Sequence, residues 1–188
     1  IGCGNMASAI ISGILEKEIV KKEEIFASTK SEVSAQKITD ALGISCSTDN
    51  LAVAKKADYL FLCIKPQFCG DVAEEIRDCL PDGQVLISII AGKNLDWLQE
   101  KFGTDKKIIR TMPNTPALVG EGITGICPNQ FISPDEIRQV LTLLRSFGRA
   151  DVVTEPILDV VGAVSGSSPA FVFLFIEALA DGAVAEGM

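Results

Sequence analysis

Gly2-Cys3-Gly4-Asn5-Met6-Ala7 is the stretch of sequence that decides the fold. It fits the pattern G-x-G-x-x-(G/A), in which the first glycine permits a tight turn and the second lets the backbone approach a pyrophosphate. The small third position, Ala7, lets a helix pack closely on a strand, and that helix then points its free N–H groups at the phosphates. The motif alone also fits a plain structural turn, so the surrounding sequence has to decide between the two.

The chain after this turn alternates short apolar runs with helical patterns, which is the rhythm of βαβ units. We predict strands at 25–28, 59–64, 85–90, 108–111, 123–126 and 150–153, and helices at 32–42, 72–80 and 134–147. The run from Tyr59 to Ile64 is apolar without alternation, as expected of a parallel strand that helices cover on both faces. We therefore predict an α/β fold with a doubly wound, mostly parallel Rossmann sheet.

From Thr154 onward the sequence is helical only. Segments 157–164 and 170–186 carry small and apolar residues on most faces, which is not typical of a monomer surface. Acidic residues interrupt the second segment before the ~20 apolar residues of a membrane span, so we interpret it as a buried helix. We predict a dinucleotide-binding domain at 1–153 without its first strand and the beginning of a helical domain at 154–188, with more chain expected beyond both ends.

Composition excludes several function classes. The net charge is −8 and no cluster of Lys and Arg occurs, which argues against nucleic acid or an anionic membrane surface as a partner. The six cysteines form no C-x-x-C pair, and the chain has no histidine, so we expect no metal site. Free thiols are typical of a reducing compartment, and we predict a cytoplasmic protein that acts on a small molecule.

The choice of cofactor is read about 20 residues after the glycine turn, where NAD-binding proteins place a carboxylate on the ribose. Here the chain reads Ala27-Ser28-Thr29-Lys30. Two hydroxyls and a cation suit the extra phosphate of NADP, which a carboxylate would repel. The sequence therefore favours NADPH, while Glu32 leaves NADH open as an alternative.

Two common proton donors of dehydrogenases are absent from this sequence, and their absence limits the reactions that it could catalyse. No histidine is present to protonate a carbonyl oxygen, and the single tyrosine, Tyr59, has no lysine four residues later. Reduction of C=O to an alcohol requires a proton donor, whereas the nitrogen of an iminium already carries its proton. Within these residues the sequence favours a C=N substrate.

Two further motifs fit a ligand site or a purely structural role. Arg110-Thr-Met-Pro-Asn-Thr-Pro116 follows a strand, its prolines fix the backbone, and Asn114 offers a donor and an acceptor where open α/β sheets bind ligands. A rigid turn explains it equally well.

Ser165-Gly-Ser-Ser-Pro169 reads as a helix start between two apolar helices, with hydroxyl caps, an N1-type proline and free N–H groups suited to a substrate carboxylate.

Taken together, G-C-G-N-M-A at 2–7, C-I-K-P-Q at 63–67, R-T-M-P-N-T-P at 110–116 and S-G-S-S-P-A at 165–170 resemble the pyrroline-5-carboxylate reductase family. The resemblance implies reduction of 1-pyrroline-5-carboxylate to L-proline, the last step of proline biosynthesis, with hydride passing from NADPH to the ring C=N carbon. It also implies self-association through interlocking C-terminal helices, as a dimer or a higher oligomer.

Site residues follow from the resemblance by matching position. The implied cofactor contacts are Gly2, Cys3, Gly4, Asn5, Met6, Ala7, Ser28, Thr29, Lys30, Asn50, Ile64, Lys65, Pro66 and Ala91. The implied nicotinamide and substrate loop comprises Met112, Pro113, Asn114, Ser165 and Ser167. Ser168 departs from the glycine that is usual in S-G-S-G-P-A. The family's substrate-contacting threonine is expected beyond Met188, so no catalytic residue is assigned.

Two alternatives stay open. A related reductase on the same architecture, such as an imine reductase or a hydroxy-acid dehydrogenase, would carry a Lys or Asp acid in the second domain. A non-catalytic Rossmann module that senses NAD(P) would not need the M-P-N loop.

Overall fold

Seven strands and eight α-helices follow the glycine turn in the computed structural model, which describes residues 1–188. The strands are β1 Phe26–Ser28, β2 Ser45–Ser47, β3 Tyr59–Leu62, β4 Val85–Ser88, β5 Lys107–Met112, β6 Gly122–Pro128 and β7 Gly148–Val152. The helices are α1 Asn5–Glu16, α2 Glu32–Leu42, α3 Asn50–Lys56, α4 Cys69–Ile76, α5 Leu95–Phe102, α6 Pro134–Leu144, α7 Glu155–Val161 and α8 Ser168–Ala185.

The main sheet has the strand order β3-β4-β5-β6-β7 and is parallel except where β6 runs antiparallel to β5. Strands β1 and β2 form a separate parallel pair. Adjacent strand residues pack on opposite faces of the main sheet: Leu86 and Ile108 belong to one core cluster, and Ile87 and Ile109 to the other. Helices therefore cover both faces, and the predicted doubly wound, mostly parallel sheet is confirmed.

The backbone at Ile1 lies between the two sheets. Its amino group donates to the Phe61 carbonyl at 2.8 Å, and its carbonyl accepts from the Cys63 N–H at 2.9 Å. An apolar cavity of about 780 Å³ lies beside this bridge, between α1 and the strand residues Phe26 and Tyr59. None of the predicted nicotinamide-loop residues lines this cavity, so cavity and loop are separate features.

Local signals set most element ends. The predicted helix at 32–42 begins after Ser31, whose hydroxyl accepts from the Ser34 N–H, and ends at Gly43 with a φ of 68°. The prediction that a helix extends to Phe147 is wrong, because α6 ends at Leu144 and a 3₁₀ turn, Arg145–Phe147, follows. The predicted helix 72–80 likewise begins earlier, at Cys69, and closes in a 3₁₀ turn. Strand β2 was not predicted, since three polar or small residues carry no hydrophobic pattern.

The C-terminal segment corrects two expectations. It forms one continuous helix, Glu155–Ala185, and not two helices separated at Ser165–Pro169. It is also not a buried helix within a single chain, because α8 contains no buried residue and Phe171 and Phe175 are 68% and 65% exposed. By length and composition this is the one helix that could cross a membrane. The change from strand to helix falls between Val152 and Glu155, and the division into two domains at 153/154 stays a prediction.

Candidate active site

The predicted site residues lie mainly where strands β1, β3, β4 and β5 end. Ser28 is the last residue of β1, Ile64 follows β3 by two residues, Ala91 follows β4 by three, and Met112 ends β5. In an open α/β sheet the carboxyl ends of the parallel strands form the edge at which ligands bind. The topology therefore brings these separate motifs to one edge.

The glycine turn is fixed between β1 and β3. Gly2 has a φ of 82°, in the left-handed region that favours glycine. A Cβ at this position would lie 2.6 Å from Ile64 Cγ2 and 2.9 Å from the carbonyl oxygen of Cys63. The N–H groups of Gly2 and Cys3 both donate to the Ser28 carbonyl, at 3.0 and 2.8 Å. Only glycine fits the first position of this turn.

The next glycine leaves an open approach to the start of α1. Gly4 is the N-cap residue, and no side chain caps the helix. A Cβ on Gly4 would contact only the Gly2 carbonyl oxygen, at 3.9 Å. Because an α-helix leaves its first N–H groups without helical partners, this uncapped end can bind an anion through the amides of Asn5, Met6 and Ala7. Cys3 and Ala7 are buried, so they face the protein and not the open side of the turn.

Residues at the end of β1 form the second corner of the site. The Ser28 hydroxyl donates to Asn50 Oδ1 at 2.8 Å, and Asn50 Nδ2 donates to Glu75 Oε2 at 2.8 Å. The structure thus brings Ser28 together with Asn50, 22 residues further along the chain. The Lys30 ammonium lies 5.0 Å from the centroid of the Phe68 ring, close enough for a cation–π contact.

The loops after β3 and β4 contribute exposed backbone. Lys65 and Pro66 are exposed and lead into the 3₁₀ turn Pro66–Phe68. Ala91 is also exposed and precedes Gly92, which has a φ of 71°. These residues offer exposed surface beside the glycine turn.

The amide of Asn114 is used inside the protein. Its Oδ1 accepts from the Ile123 N–H at 2.8 Å, and its Nδ2 donates to the Ser165 carbonyl at 3.1 Å. The side chain is buried. The sequence left a ligand site and a rigid turn equally open for this motif, and the structure uses both groups of the amide to hold the loop against β6 and the C-terminal helix.

The expected helix start at Ser165–Pro169 is wrong. Residues Gly162–Ser167 form a π-helical segment within the continuous helix, and the Ser165 hydroxyl donates to the Val161 carbonyl at 2.7 Å instead of capping. The uncapped N–H groups predicted here for a substrate carboxylate therefore do not exist. Pro169 supplies the reason: it has no N–H for the Ser165 carbonyl four residues earlier and its ring crowds that carbonyl, which the wider π turn relieves.

The only tyrosine lies away from this edge. Tyr59 begins β3, at the opposite end of the strand from the glycine turn, and its hydroxyl donates to Gln139 Oε1. Burial raises the pKa of Tyr59. Burial also raises the pKa of the thiol of Cys63 to about 11 and raises that of Cys3, so both are neutral near pH 7. These groups are packing residues and not acids or nucleophiles of the site.

Two known families match segments of this chain. Residues 1–92 match the family described as NADP oxidoreductase coenzyme F420-dependent, and residues 155–188 match pyrroline-5-carboxylate reductase dimerisation. The pyrroline-5-carboxylate reductase of Escherichia coli K12 is 44% identical over 188 residues, which are 100% of this chain and 70% of that protein. The enzyme of Methanosarcina acetivorans is 37% identical with the same coverage.

The chain belongs to the pyrroline-5-carboxylate reductase family. A solved pyrroline-5-carboxylate reductase from Coxiella burnetii superimposes with a TM-score of 0.92 at 30% identity, covering 100% of this chain and 70% of that one. The pyrroline carboxylate reductase of Plasmodium falciparum, solved with NADP bound, gives 0.88 at 34% identity and covers 100% and 68%. The prephenate dehydrogenase of Aquifex aeolicus gives 0.72 at 16% identity, covering 96% and 69%, a likeness of fold alone.

One charged residue of this family member received no role from the sequence. Arg110, on β5, has a side chain only 3% exposed, and its Nη1 and Nη2 lie 3.1 Å from Glu155 Oε1 and 2.6 Å from Asp159 Oδ1. An arginine that is buried within a strand requires carboxylate partners. Glu155 and Asp159, four residues apart on a helix, carry the pattern that could have identified them.

Proposed function

We propose that this chain reduces 1-pyrroline-5-carboxylate to L-proline, the last step of proline biosynthesis, with NADPH as the reductant. The observation that carries the proposal is family membership over the whole chain, at 44% identity to the Escherichia coli relative. The reaction class is that of an oxidoreductase acting on a CH–NH bond.

The residues of the glycine turn fit a dinucleotide. Gly2 cannot carry a Cβ, Gly4 leaves open space, and α1 begins without a side-chain cap, so the pyrophosphate would meet backbone N–H groups. When bound, NADPH supplies the hydride. We assign its binding to the residues named from the sequence: Gly2, Cys3, Gly4, Asn5, Met6, Ala7, Ser28, Thr29, Lys30, Asn50, Ile64, Lys65, Pro66 and Ala91. Cys3 and Ala7 would contribute through their backbones, because their side chains are buried.

Preference for the phosphorylated cofactor is assigned to the corner at Ser28, Thr29 and Lys30. Lys30 is exposed and follows two buried hydroxyl residues. A cation here pairs with the additional phosphate, whereas NADH has no group for it to neutralise. Glu32, the carboxylate that left NADH open, accepts from the Thr48 hydroxyl at 2.8 Å and so already has a partner within the protein, which supports NADPH over NADH.

The substrate end is assigned to Met112, Pro113, Asn114, Ser165 and Ser167. Asn114 links the loop to the Ser165 carbonyl, so these two motifs form one connected wall. Their role is to orient the substrate ring toward the reducing end of the cofactor and to exclude water from it. No side-chain acid is required in this wall, because the iminium nitrogen of the substrate already carries its proton.

Self-association completes the proposal. The exposed apolar helix α8 lies in the segment that matches the dimerisation family, and we propose a homodimer, or a multiple of it, in the cytoplasm. A full-length protein that scatters light as a monomer would contradict the dimer. Glutamate at Phe171 and Phe175, which are one helical turn apart and exposed, is expected to dissociate it without unfolding the sheet domain.

The enzyme assay compares four mixtures of full-length protein: NADPH or NADH, each with pyrroline-5-carboxylate or with a 2-keto acid. Oxidation of NADPH is expected with the pyrroline substrate, at a higher kcat/KM than oxidation of NADH. Turnover of the keto acid but not of the pyrroline would favour a hydroxy-acid dehydrogenase and reject the proposal. Binding of NADPH with no turnover of either substrate would favour a sensing module.

A further inference from the structure

The strand segment that carries the R-T-M-P-N motif runs along the C-terminal helix and contacts it at every second residue. Arg110 pairs with Glu155 and Asp159, and Asn114 donates to the Ser165 carbonyl. Between them, Met112 lies against Gly162, where an added Cβ would be 3.3 Å from Met112 Cε. Positions two apart share one face of an extended segment, and helix positions spaced by three or four share one face of a helix. The contacts therefore form one seam.

Within this seam the ion pairs are the contact furthest from the substrate wall. The guanidinium spans two carboxylates one helical turn apart, and Glu155 Oε1 also accepts from the Leu95 N–H at 2.7 Å. One carboxylate of the helix is thus tied to β5 and to the first residue of α5. Arg110 Nε is buried and has no hydrogen-bond partner, so the two Nη contacts alone fix the orientation of the side chain.

We propose that Arg110 is a positioning residue, which holds the helix in the register that brings Ser165 to Asn114 and so sets the shape of the substrate wall. This inference rests on the proposed function of that wall. Because Arg110 and Asn114 are four residues apart on a stiff segment, a slip of the helix at Glu155 displaces the Ser165 carbonyl from the Asn114 amide. The π-helical segment Gly162–Ser167 contains Ser165, whose carbonyl has no N–H partner at Pro169, so the Asn114 contact holds this part of the helix.

Lysine cannot replace arginine in this role. The two carboxylates are met by two different nitrogens of a planar guanidinium, whereas an ammonium is a single point of charge on a flexible stem. A misplacement of about 1 Å at reacting groups can lower a rate by about 100-fold. We therefore expect Arg110→Lys to lower kcat by roughly 10- to 100-fold, with the affinity for NADPH changed less than about twofold, since the glycine turn lies between β1 and β3, away from β5.

The test uses full-length protein with Arg110→Lys, Glu155→Gln and Asp159→Asn. The two amide variants keep the size of the carboxylate and guard against a lysine variant that fails to fold. Asp151→Asn is the matched control, because Asp151 is an exposed carboxylate 3.5 Å from Arg145 and lies outside the seam. For each protein we would measure kcat, KM for pyrroline-5-carboxylate, the Kd for NADPH, the oligomeric mass and amide hydrogen exchange in peptides covering residues 110–123 and 155–167.

We expect kcat to fall most in Arg110→Lys, less in Glu155→Gln and least in Asp159→Asn, with the NADPH Kd and the oligomeric mass unchanged. We also expect faster hydrogen exchange of the Ile123 amide, whose N–H donates to Asn114 Oδ1. A kcat within twofold of wild type in the folded lysine variant would overturn the inference. So would a loss of kcat that only follows the loss of folded protein. Exchange and NADPH binding need no turnover, so an inactive wild type would reject the proposed function while the exchange data still decide on the seam.

Discussion

Gly2 and Gly4 have different tasks in the same turn, and alanine at each position should separate them. At Gly2 a side chain conflicts with the fold itself, because φ is 82° and the Cβ would be 2.9 Å from the Cys63 carbonyl oxygen. A left-handed conformation costs a non-glycine residue about 1–2 kcal/mol, and overpacking against backbone costs about 1–3 kcal/mol. Gly2→Ala is therefore expected to lower the free energy of unfolding by about 2–5 kcal/mol.

At Gly4 the fold has room for the same methyl group. The backbone is extended, with φ of −107°, and the nearest atom to a Cβ is 3.9 Å away. Alanine should leave the free energy of unfolding unchanged or raise it by about 0.4–1 kcal/mol, because glycine is more flexible in the unfolded chain. The methyl group would instead occupy the approach to the uncapped helix end, and we expect the Kd for NADPH to rise at least about tenfold, or 1.4 kcal/mol.

Urea unfolding followed by circular dichroism and titration of NADPH fluorescence measure the two quantities on the same samples. Gly70→Ala in α4 is the control, since a Cβ there meets nothing within 4 Å, and neither quantity should worsen. If Gly4→Ala binds NADPH as tightly as wild type, the turn does not hold the pyrophosphate. A Gly2→Ala protein as stable as wild type would show that the close contact with the Cys63 carbonyl does not destabilise the fold.

Three other changes test separate parts of the structure. Lys30→Ala should raise KM for NADPH much more than KM for NADH, with exposed Lys37→Ala as control; equal effects on both cofactors would make Lys30 an ordinary surface charge. Asn114→Ala removes the partners of the Ile123 N–H and the Ser165 carbonyl. It should lower the free energy of unfolding, measured in urea, by about 1–3 kcal/mol. An unchanged value would show that these two hydrogen bonds are not needed for stability. The pKa of Cys63 is raised from 9.0 to about 11, so between these values only the unfolded chain loses the thiol proton and stability falls as pH rises. Cys63→Ala should make that fall shallower in urea titrations at each pH, and an identical slope would contradict the burial of this thiol.

Sequence patterns that act locally predicted the fold well. The turn at Gly2 depends on the conformational freedom of glycine, and the two-sided burial of β4 appears in its apolar run Val85-Leu-Ile. The predicted helix 32–42 is confirmed with the same bounds, and the structure shows that a serine cap and a glycine set its two ends. Such features need only a few neighbouring residues, so one sequence suffices to find them.

The features that the sequence did not predict depend on contacts between distant residues. Pro169 looks like a helix start when only its neighbours are considered, yet the Ser165 carbonyl that it leaves without a helical donor is met by Asn114, 51 residues earlier. Arg110 requires charged partners because it is buried within β5. The four-residue spacing of Glu155 and Asp159 places them on one helix face, but no local pattern pairs that face with Arg110. The substrate side of the site therefore depends on long-range contacts that the sequence did not predict, whereas the glycine turn of the cofactor side follows from a local pattern.

The long exposed helix links the folding of this protein to its concentration. Apolar side chains from Phe171 to Val184 find no cover within one chain, so the free energy of their burial is released only on association. By mass action, dilution dissociates the oligomer and removes that stabilisation, and a higher protomer concentration restores it. The melting temperature should accordingly depend on protein concentration, and a cell that makes too little of the chain would hold a less stable protein as well as a scarcer one.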